Sequence, residues 1–330
     1  MKKKTKKNLS CALLVGMSLL LTGCTDSQNA AMSYRIDAPA GKLETAAGES
    51  YAENYLSDSL CVIPKNGQTK KRDEIMTSRA SLVINDSDQK MLYAKNIYQK
   101  IYPASITKIV TALVTLKYGN LYDTVTISYN ASHITEPGAK LCGFEQGDKI
   151  VLKDLLYSFL ICSGNDAGVA IAEHIAGNVA DFAKMMNAEM QNIGAVHSHF
   201  VNPHGLHNDK HYTTAYDLYL VFHHLIQNDT FRDIVNQPSF VAKFKSKKNK
   251  TKKLYFTSTD RYLVGRATPP AGMTVIGGKT GTTAAAGSCL ILYSKNKKGK
   301  GYISVVLKAQ GGYDLYTQMN HLLAYAANDK

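Results

Sequence analysis

Ser105 and Lys108 are side chains whose types and spacing suit a nucleophilic reaction. They stand three positions apart in the segment 103–108, which reads PASITK, so on a helix they would share one face. A neutral lysine amine can take the proton of a serine hydroxyl, and burial beside a second cation lowers the lysine pKa enough for this. The same spacing recurs at Ser87 and at Ser294, so the pair alone does not identify an enzyme.

A second group of polar residues interrupts the apolar helical pattern of residues 152–177. The interruption is Ser163, Gly164 and Asn165, and polar or flexible residues inside a buried helix are costly unless they line a cavity or satisfy one another. A serine here could relay a proton, and the Asn165 amide could bond to a substrate amide. A helix cap or a turn is an equally good interpretation of Asn165 taken by itself.

The third group is the segment 277–283, which reads GGKTGTT and follows a strand-like run. Glycines allow a strand edge to approach a ligand closely, while Lys279, Thr280 and Thr282 offer hydrogen-bond donors to a carboxylate. A phosphate-binding loop is the competing interpretation. It fails on register, because the pattern G-x-x-x-x-G-K-S/T requires a glycine where Met273 stands.

Strand-like patterns bracket a helical middle, and this order predicts how the motifs are positioned. Helical periodicity begins at Ser105 and recurs at 152–177, 179–193, 214–227 and 313–327. Strand patterns occur at 80–84, 91–94, 254–257, 273–276, 288–293 and 302–307. We therefore predict one antiparallel sheet assembled from both ends of the chain, with a helical lobe inserted at about 105–245 and the motifs in the cleft between them.

Taken together and in this order, the three motifs resemble the Ser-x-x-Lys, Ser-x-Asn and Lys-Thr-Gly signature of serine penicillin-binding proteins and serine β-lactamases. The likeness extends over most of the chain from Ala80. The segments 200–206 (FVNPHGL) and 211–218 (HYTTAYDL) are similar to those of the low-molecular-weight D-Ala-D-Ala carboxypeptidases. The resemblance implies an α/β (α+β) fold of the β-lactamase/transpeptidase type, with an antiparallel sheet, flanking helices and an inserted helical lobe.

The same resemblance implies removal of the terminal D-alanine from peptidoglycan stem peptides, inhibition by β-lactam antibiotics and no cofactor. Ser105 would be the nucleophile, Lys108 its general base and Ser163 the proton relay. Backbone N–H groups of Ser105 and Thr282 would form the oxyanion hole. The residues implied to bind substrate are Asn165, Lys279, Thr280, Gly281 and Thr282. A β-lactamase or transpeptidase of the same fold and a wall-binding pseudoenzyme are the alternatives.

The first residues predict export and a lipid anchor. A lysine-rich start precedes an apolar stretch from Cys11 to Leu21, which is too short to span a bilayer comfortably. It ends in Leu-Thr-Gly-Cys24, which resembles the lipobox of bacterial lipoproteins. An ordinary signal peptide or a buried helix with an incidental cysteine is the alternative.

We therefore expect a lipoprotein signal peptide at 1–23, a lipidated and largely disordered tether at 24–79 and the catalytic domain at 80–330. The tether's composition also allows a small ordered extension around 51–63. The protein would lie on the outer face of the bacterial cell membrane, held by the lipid on Cys24, where nucleic acid is a poor candidate partner.

The chain is basic, with a formal net charge of +13. Seven lysines crowd the segment 243–253, which could attract anionic lipid or wall polymers. A solvated, charge-rich loop or hairpin is the alternative.

Arg261 and Arg266 precede the third motif, and either could assist carboxylate binding.

Two further classes of residue bear on the mechanism. Histidines crowd the stretch 197–211 and suggest a metal peptidase, but no His-Glu-x-x-His helix accompanies them, so we expect no metal. In class A β-lactamases a glutamate activates the deacylating water. We find no segment that resembles the one carrying that glutamate. Glu173 and Glu189 come nearest, and we assign both to ordinary helix surface, which predicts slow deacylation.

Overall fold

The computed structural model describes residues 60–329. The strands are β1 (Ala80–Asn85), β2 (Lys90–Lys95), β3 (Thr124–Thr126), β4 (Lys149–Val151), β5 (Ser239–Lys245), β6 (Thr251–Thr257), β7 (Met273–Thr283), β8 (Gly287–Asn296) and β9 (Gly301–Ala309). The helices are α1 (Lys108–Tyr118), α2 (Tyr129–Ser132), α3 (Leu152–Cys162), α4 (Asn165–Ala176), α5 (Val179–Asn192), α6 (Ala215–Leu225), α7 (Asp229–Val235) and α8 (Gly312–Ala327).

A five-stranded antiparallel sheet joins the two ends of the described chain in the order β2-β1-β9-β8-β7. All six residues of β1 are buried, as expected of a central strand covered on both faces. Helix α8 packs on one face, where Leu322 and Met319 join Val83 and Leu290 in a single apolar cluster. Burying each such side chain contributes about 1.5–3 kcal/mol. The predicted sheet built from both ends of the chain is confirmed.

The helical middle surrounds α1, whose residues 108–115 are all buried. Helices α3, α4, α5 and α6 all contact it. The predicted interruption of the apolar helical pattern is the point where α3 ends and α4 begins. Ser163 there adopts the left-handed conformation, with φ of 66°, which ends α3 and turns the chain into α4.

A second sheet, ordered β3-β4-β5-β6, corrects the prediction of one sheet. The strand-like run 254–257 belongs to β6, which pairs with β5 and not with the large sheet. On the inner side of this small sheet, Phe244 and Phe256 pack against Phe144. Alternating hydrophobicity identifies a strand but not its partner, which is why the sequence did not reveal this sheet.

Residues 60–79, which we predicted to be part of the tether, pack against the domain in the structure. Cys61, Ile63 and Met76 are buried, and the Cys61 backbone N–H donates to the Tyr219 hydroxyl at 3.0 Å. The predicted signal peptide, Cys24 and the tether up to residue 59 lie outside the described residues. Among residues 60–329, no helix combines the length and apolar character that crossing a membrane requires.

Candidate active site

Ser105 and Lys108 meet where a short 3₁₀ turn at Ala104–Thr107 leads into α1. The Lys108 ammonium donates to the Ser105 hydroxyl oxygen at 3.0 Å. Ser105 is partly exposed, whereas Lys108 is fully buried. The two side chains that sequence spacing singled out are therefore in hydrogen-bonding contact at the start of the helix.

Three acceptors surround the Lys108 nitrogen. Besides Ser105, they are the Asn165 side-chain oxygen at 2.8 Å and the His204 backbone carbonyl at 2.7 Å. Burial, followed by the charge of Lys279, lowers the pKa of Lys108 well below its usual value. In the neutral amine, two N–H groups can serve Asn165 and His204 while the lone pair faces Ser105, which is the arrangement that a general base requires.

Ser163 and Asn165 stand on either side of the turn between α3 and α4. Asn165 is buried, and its backbone N–H donates to the Lys140 carbonyl at 2.6 Å. Within residues 60–329, no hydrogen bond joins the Ser163 hydroxyl to Ser105 or Lys108. The relay role of Ser163 therefore stays a prediction.

Asp166 holds the loop that covers this turn, a role that we did not predict from the sequence. Its buried carboxylate accepts the backbone N–H groups of Cys142 and Gly143, each at 2.8 Å, and of Phe144 at 3.3 Å. Gly164 lies directly beneath, since a Cβ there would meet the Cys142 sulfur at 2.3 Å. An acidic residue in the first turn of a helix that follows a helix break was the available signal.

Strand β7 brings the third motif to the same place. A Cβ at Gly281 would lie 2.9 Å from the backbone nitrogens of Ser105 and Ile106, so only a glycine lets the strand pass this close. Lys279 is buried, and burial together with the charge of Lys140 lowers its pKa to about 7.

The threonines of the motif differ in their surroundings. The Thr280 hydroxyl donates to the Thr259 hydroxyl at 2.6 Å, while Thr282 is exposed. Arg261 turns away toward α8, where its guanidinium lies 5.1 Å from the centre of the Tyr316 ring. Arg266 is exposed, and its backbone N–H donates to the Arg261 carbonyl at 2.7 Å.

The histidines of 197–211 have separate partners. The His211 ring lies 2.7 Å from the Thr107 hydroxyl, while His197 approaches Asp217 at 3.8 Å. Burial lowers the pKa of both His204 and His211 to about 3, so both are neutral near pH 7. Residues 60–329 contain no group of three side chains placed to hold a metal ion.

Glu189 is not the ordinary surface residue that we expected. Its carboxylate is buried and lies 2.8 Å from the Lys117 ammonium. Lys117 stands nine residues after Lys108 on α1, about 13 Å along the helix axis. This carboxylate is therefore held far from Ser105, and the sequence could not show its burial because the pairing joins two different helices.

Comparison with known proteins identifies the family. Residues 66–311 match the D-alanyl-D-alanine carboxypeptidase family, Peptidase S11. The chain is 30% identical over 265 residues to the D-alanyl-D-alanine carboxypeptidase DacF of Bacillus subtilis, a match that covers 78% of this chain and 64% of that protein. It is 32% identical over 238 residues to DacA of Haemophilus influenzae, covering 70% and 57%. The chain thus spans less than two thirds of the length of these relatives.

The fold of this chain also matches that of a DD-peptidase whose structure has been solved. The crystal structure of the Streptomyces K15 DD-transpeptidase superposes with a TM-score of 0.70 at 26% identity, over 78% of this chain and 98% of that one. The predicted fold class is thereby confirmed. On the family match across residues 66–311, this chain belongs to the D-alanyl-D-alanine carboxypeptidase family, Peptidase S11.

Proposed function

We propose that this chain is a serine D-Ala-D-Ala carboxypeptidase that removes the terminal D-alanine from peptidoglycan stem peptides. The observation that carries the proposal is the Lys108 nitrogen, buried between Ser105, Asn165 and the His204 carbonyl. The relatives DacF and DacA bear the name of this activity. A buried lysine whose pKa is lowered has a clear use as the base for a serine nucleophile.

In the proposed reaction, the Ser105 oxygen attacks the carbonyl carbon of the penultimate D-alanine as its proton passes to Lys108. The peptide bond then breaks, and the leaving amine receives a proton by way of Ser163. Water later hydrolyses the ester on Ser105 and releases the shortened peptide. In this scheme, the proton that Lys108 takes from Ser105 is the one that Ser163 passes to the leaving amine.

Charge in the cleft would select a carboxylate-ended substrate. Lys279 lies on β7 with Thr280 and Thr282, where a cation and hydroxyl donors can hold the terminal carboxylate. The backbone N–H groups of Ser105 and Thr282 would bind the oxyanion. Each donor of this kind typically lowers the barrier by about 3 kcal/mol.

The adduct with a β-lactam should be long-lived. A β-lactam presents a carboxylate and a strained amide as the terminal D-Ala-D-Ala does, so Ser105 would open it. Glu189 is bound to Lys117 at the far end of α1, and the Asp166 carboxylate is occupied by backbone N–H groups. Neither is free to activate a deacylating water.

Transpeptidation is the second candidate, because the solved relative from Streptomyces K15 is named a DD-transpeptidase. The two activities share the acyl-enzyme and differ in whether water or an amine accepts the acyl group. Turnover of stem peptides, followed by mass spectrometry, separates them. Loss of one D-alanine supports the carboxypeptidase, cross-linked products support the transpeptidase, and no change in the peptide contradicts both.

We also propose that the protein is exported and anchored by a lipid on Cys24. The lysine-rich start and the Leu-Thr-Gly-Cys24 sequence support this. A single acyl chain binds a membrane only marginally, so stable attachment requires more than one. We expect the wild type in the membrane fraction and Cys24→Ala to be unprocessed or released. Unchanged size and membrane retention of the variant would contradict the anchor.

A further inference from the structure

The outer side of the small sheet carries an unusual concentration of positive charge. Side chains alternate between the two sides of a strand, and the outward positions include Lys149 on β4, Lys243 and Lys245 on β5, and Lys253 on β6, all exposed. We call this surface the lysine face. It contains no Asp or Glu at any outward strand position, and within residues 60–329 none of these four lysines belongs to an ion pair.

The lysines repel one another in the folded protein. Lys243 is directly opposite Lys253 across the β5–β6 pair, and Lys149 is opposite Lys245 across the β4–β5 pair. Like charges placed opposite each other in a sheet are destabilising. Lys252, which points to the inner side, is by contrast paired with Glu145 and Asp148 at 3.1 and 3.2 Å. In the described part of the chain, acidic partners are therefore available on the inner side and missing from the outer one.

The lysine face contains a groove of about 440 Å³, lined by Lys149, Lys243 and Lys245 among others. Strand β6 runs from the face toward Thr259, whose hydroxyl accepts the Thr280 hydroxyl at 2.6 Å. Thr259 is six positions after Lys253, a span of at most about 22 Å. A chain that enters the cleft can therefore extend onto the face.

We propose that the lysine face docks a polyanionic polymer, namely the carboxylate-bearing peptidoglycan whose stem peptide end occupies the cleft. This inference rests on the proposed function, because it assigns the rest of the same substrate to a second surface. Repeated carboxylates would neutralise lysines that have no acidic partner within residues 60–329. The exposed pair of Val241 and Tyr255, next to Lys243 and Lys253, gives the polymer an apolar contact between the lysines and the cleft.

A polymer fits this surface better than a membrane does. Membrane-binding faces expose large apolar side chains such as Trp, Phe and Leu, whereas the remaining outward positions of the small sheet are Thr and Ser apart from Val151, Val241 and Tyr255. The charges lie on three adjacent strands, β4, β5 and β6, which suits an extended substrate.

The test compares two triple variants of the full chain. K243Q/K245Q/K253Q removes charge from the lysine face, while K295Q/K297Q/K298Q removes the same charge at the exposed β8–β9 end. Three measurements are made on each: co-sedimentation with insoluble peptidoglycan stripped of attached phosphate polymers, co-sedimentation with phosphatidylglycerol vesicles, and kcat/KM on a short capped peptide ending in D-Ala-D-Ala. Thermal unfolding checks the fold.

We expect the first variant to bind peptidoglycan roughly tenfold more weakly than the wild type at low salt, with the difference shrinking as salt rises. The second variant and the short-peptide kinetics should stay within about twofold of the wild type. Equal loss in both variants, no loss in either, or a loss confined to vesicles overturns the proposal. Because sedimentation needs no turnover, a wild type that binds polymer yet never releases D-alanine contradicts only the proposed function.

Discussion

The lysines of the cleft and the lysines of the lysine face differ in their exposure to water. In the cleft, Lys108 and Lys279 are fully buried, and burial lowers the pKa of both. On the lysine face, Lys149, Lys243, Lys245 and Lys253 are exposed to water. Because the buried lysines are desolvated, the charge state of each one strongly affects the cleft by itself. Exposed charges are screened by water and salt, so they act only together. Substitutions should therefore have large single effects in the cleft and small ones on the face.

The largest effect is expected from Lys108→Ala. Without the amine, Ser105 has no base, and the rate of acylation by labelled penicillin should fall by about 10³-fold, within the range for a lost general base. Lys153→Ala, at an exposed position on α3, is the matched control and should acylate like the wild type. A Lys108 variant that acylates at the wild-type rate would remove the proposed base.

Adding a methyl group beneath the loop at residues 142–144 should also destabilise the protein. Gly164→Ala places a Cβ 2.3 Å from the Cys142 sulfur and 2.6 Å from the Cys142 backbone nitrogen, so the loop must move. We expect the free energy of unfolding to drop by about 1–3 kcal/mol and acylation to slow. Gly311→Ala is the control, since a Cβ at that glycine would meet nothing within 4 Å. Equal stability of the two variants would contradict the packing described here.

The pH dependence tests the charge of Lys279. Its pKa of about 7 means that the ammonium loses its proton as pH rises through that value, which weakens binding of the substrate carboxylate. The kcat/KM of the wild type should therefore fall on the alkaline side from near pH 7. Arginine stays protonated, so Lys279→Arg should move that fall to higher pH, whatever its effect on the maximum. An alkaline limb that is the same in both proteins would exclude Lys279 as its origin.

The smallest effect is expected on the lysine face. Lys253→Glu replaces the repulsion from Lys243 across the strand pair with attraction, and should stabilise the fold by about 0.2–1 kcal/mol at low salt. The stability of Lys253→Gln should lie between that of Lys253→Glu and that of the wild type. Chemical denaturation at two salt concentrations measures this. A destabilised Lys253→Glu variant would show that the charges of the face are already balanced.

The sequence predicted the parts of the molecule that depend on neighbours along the chain. The spacing of Ser105 and Lys108, the helix break at Ser163 and the glycines of β7 are local patterns, and the structure brings all three together. The separate small sheet, the hold of Asp166 on residues 142–144 and the pairing of Glu189 with Lys117 were not predicted. Each depends on a contact between segments distant in sequence, which periodicity does not encode.

The assignment of Ser105 as the nucleophile is tested by the mass of the protein after exposure to penicillin, with the adduct mapped by digestion and followed over time. We predict one penicilloyl group, located on Ser105, persisting for minutes or longer and absent from Ser105→Ala. An adduct that survives Ser105→Ala would contradict the proposed nucleophile. Rapid loss of the adduct from the wild type would indicate a β-lactamase instead.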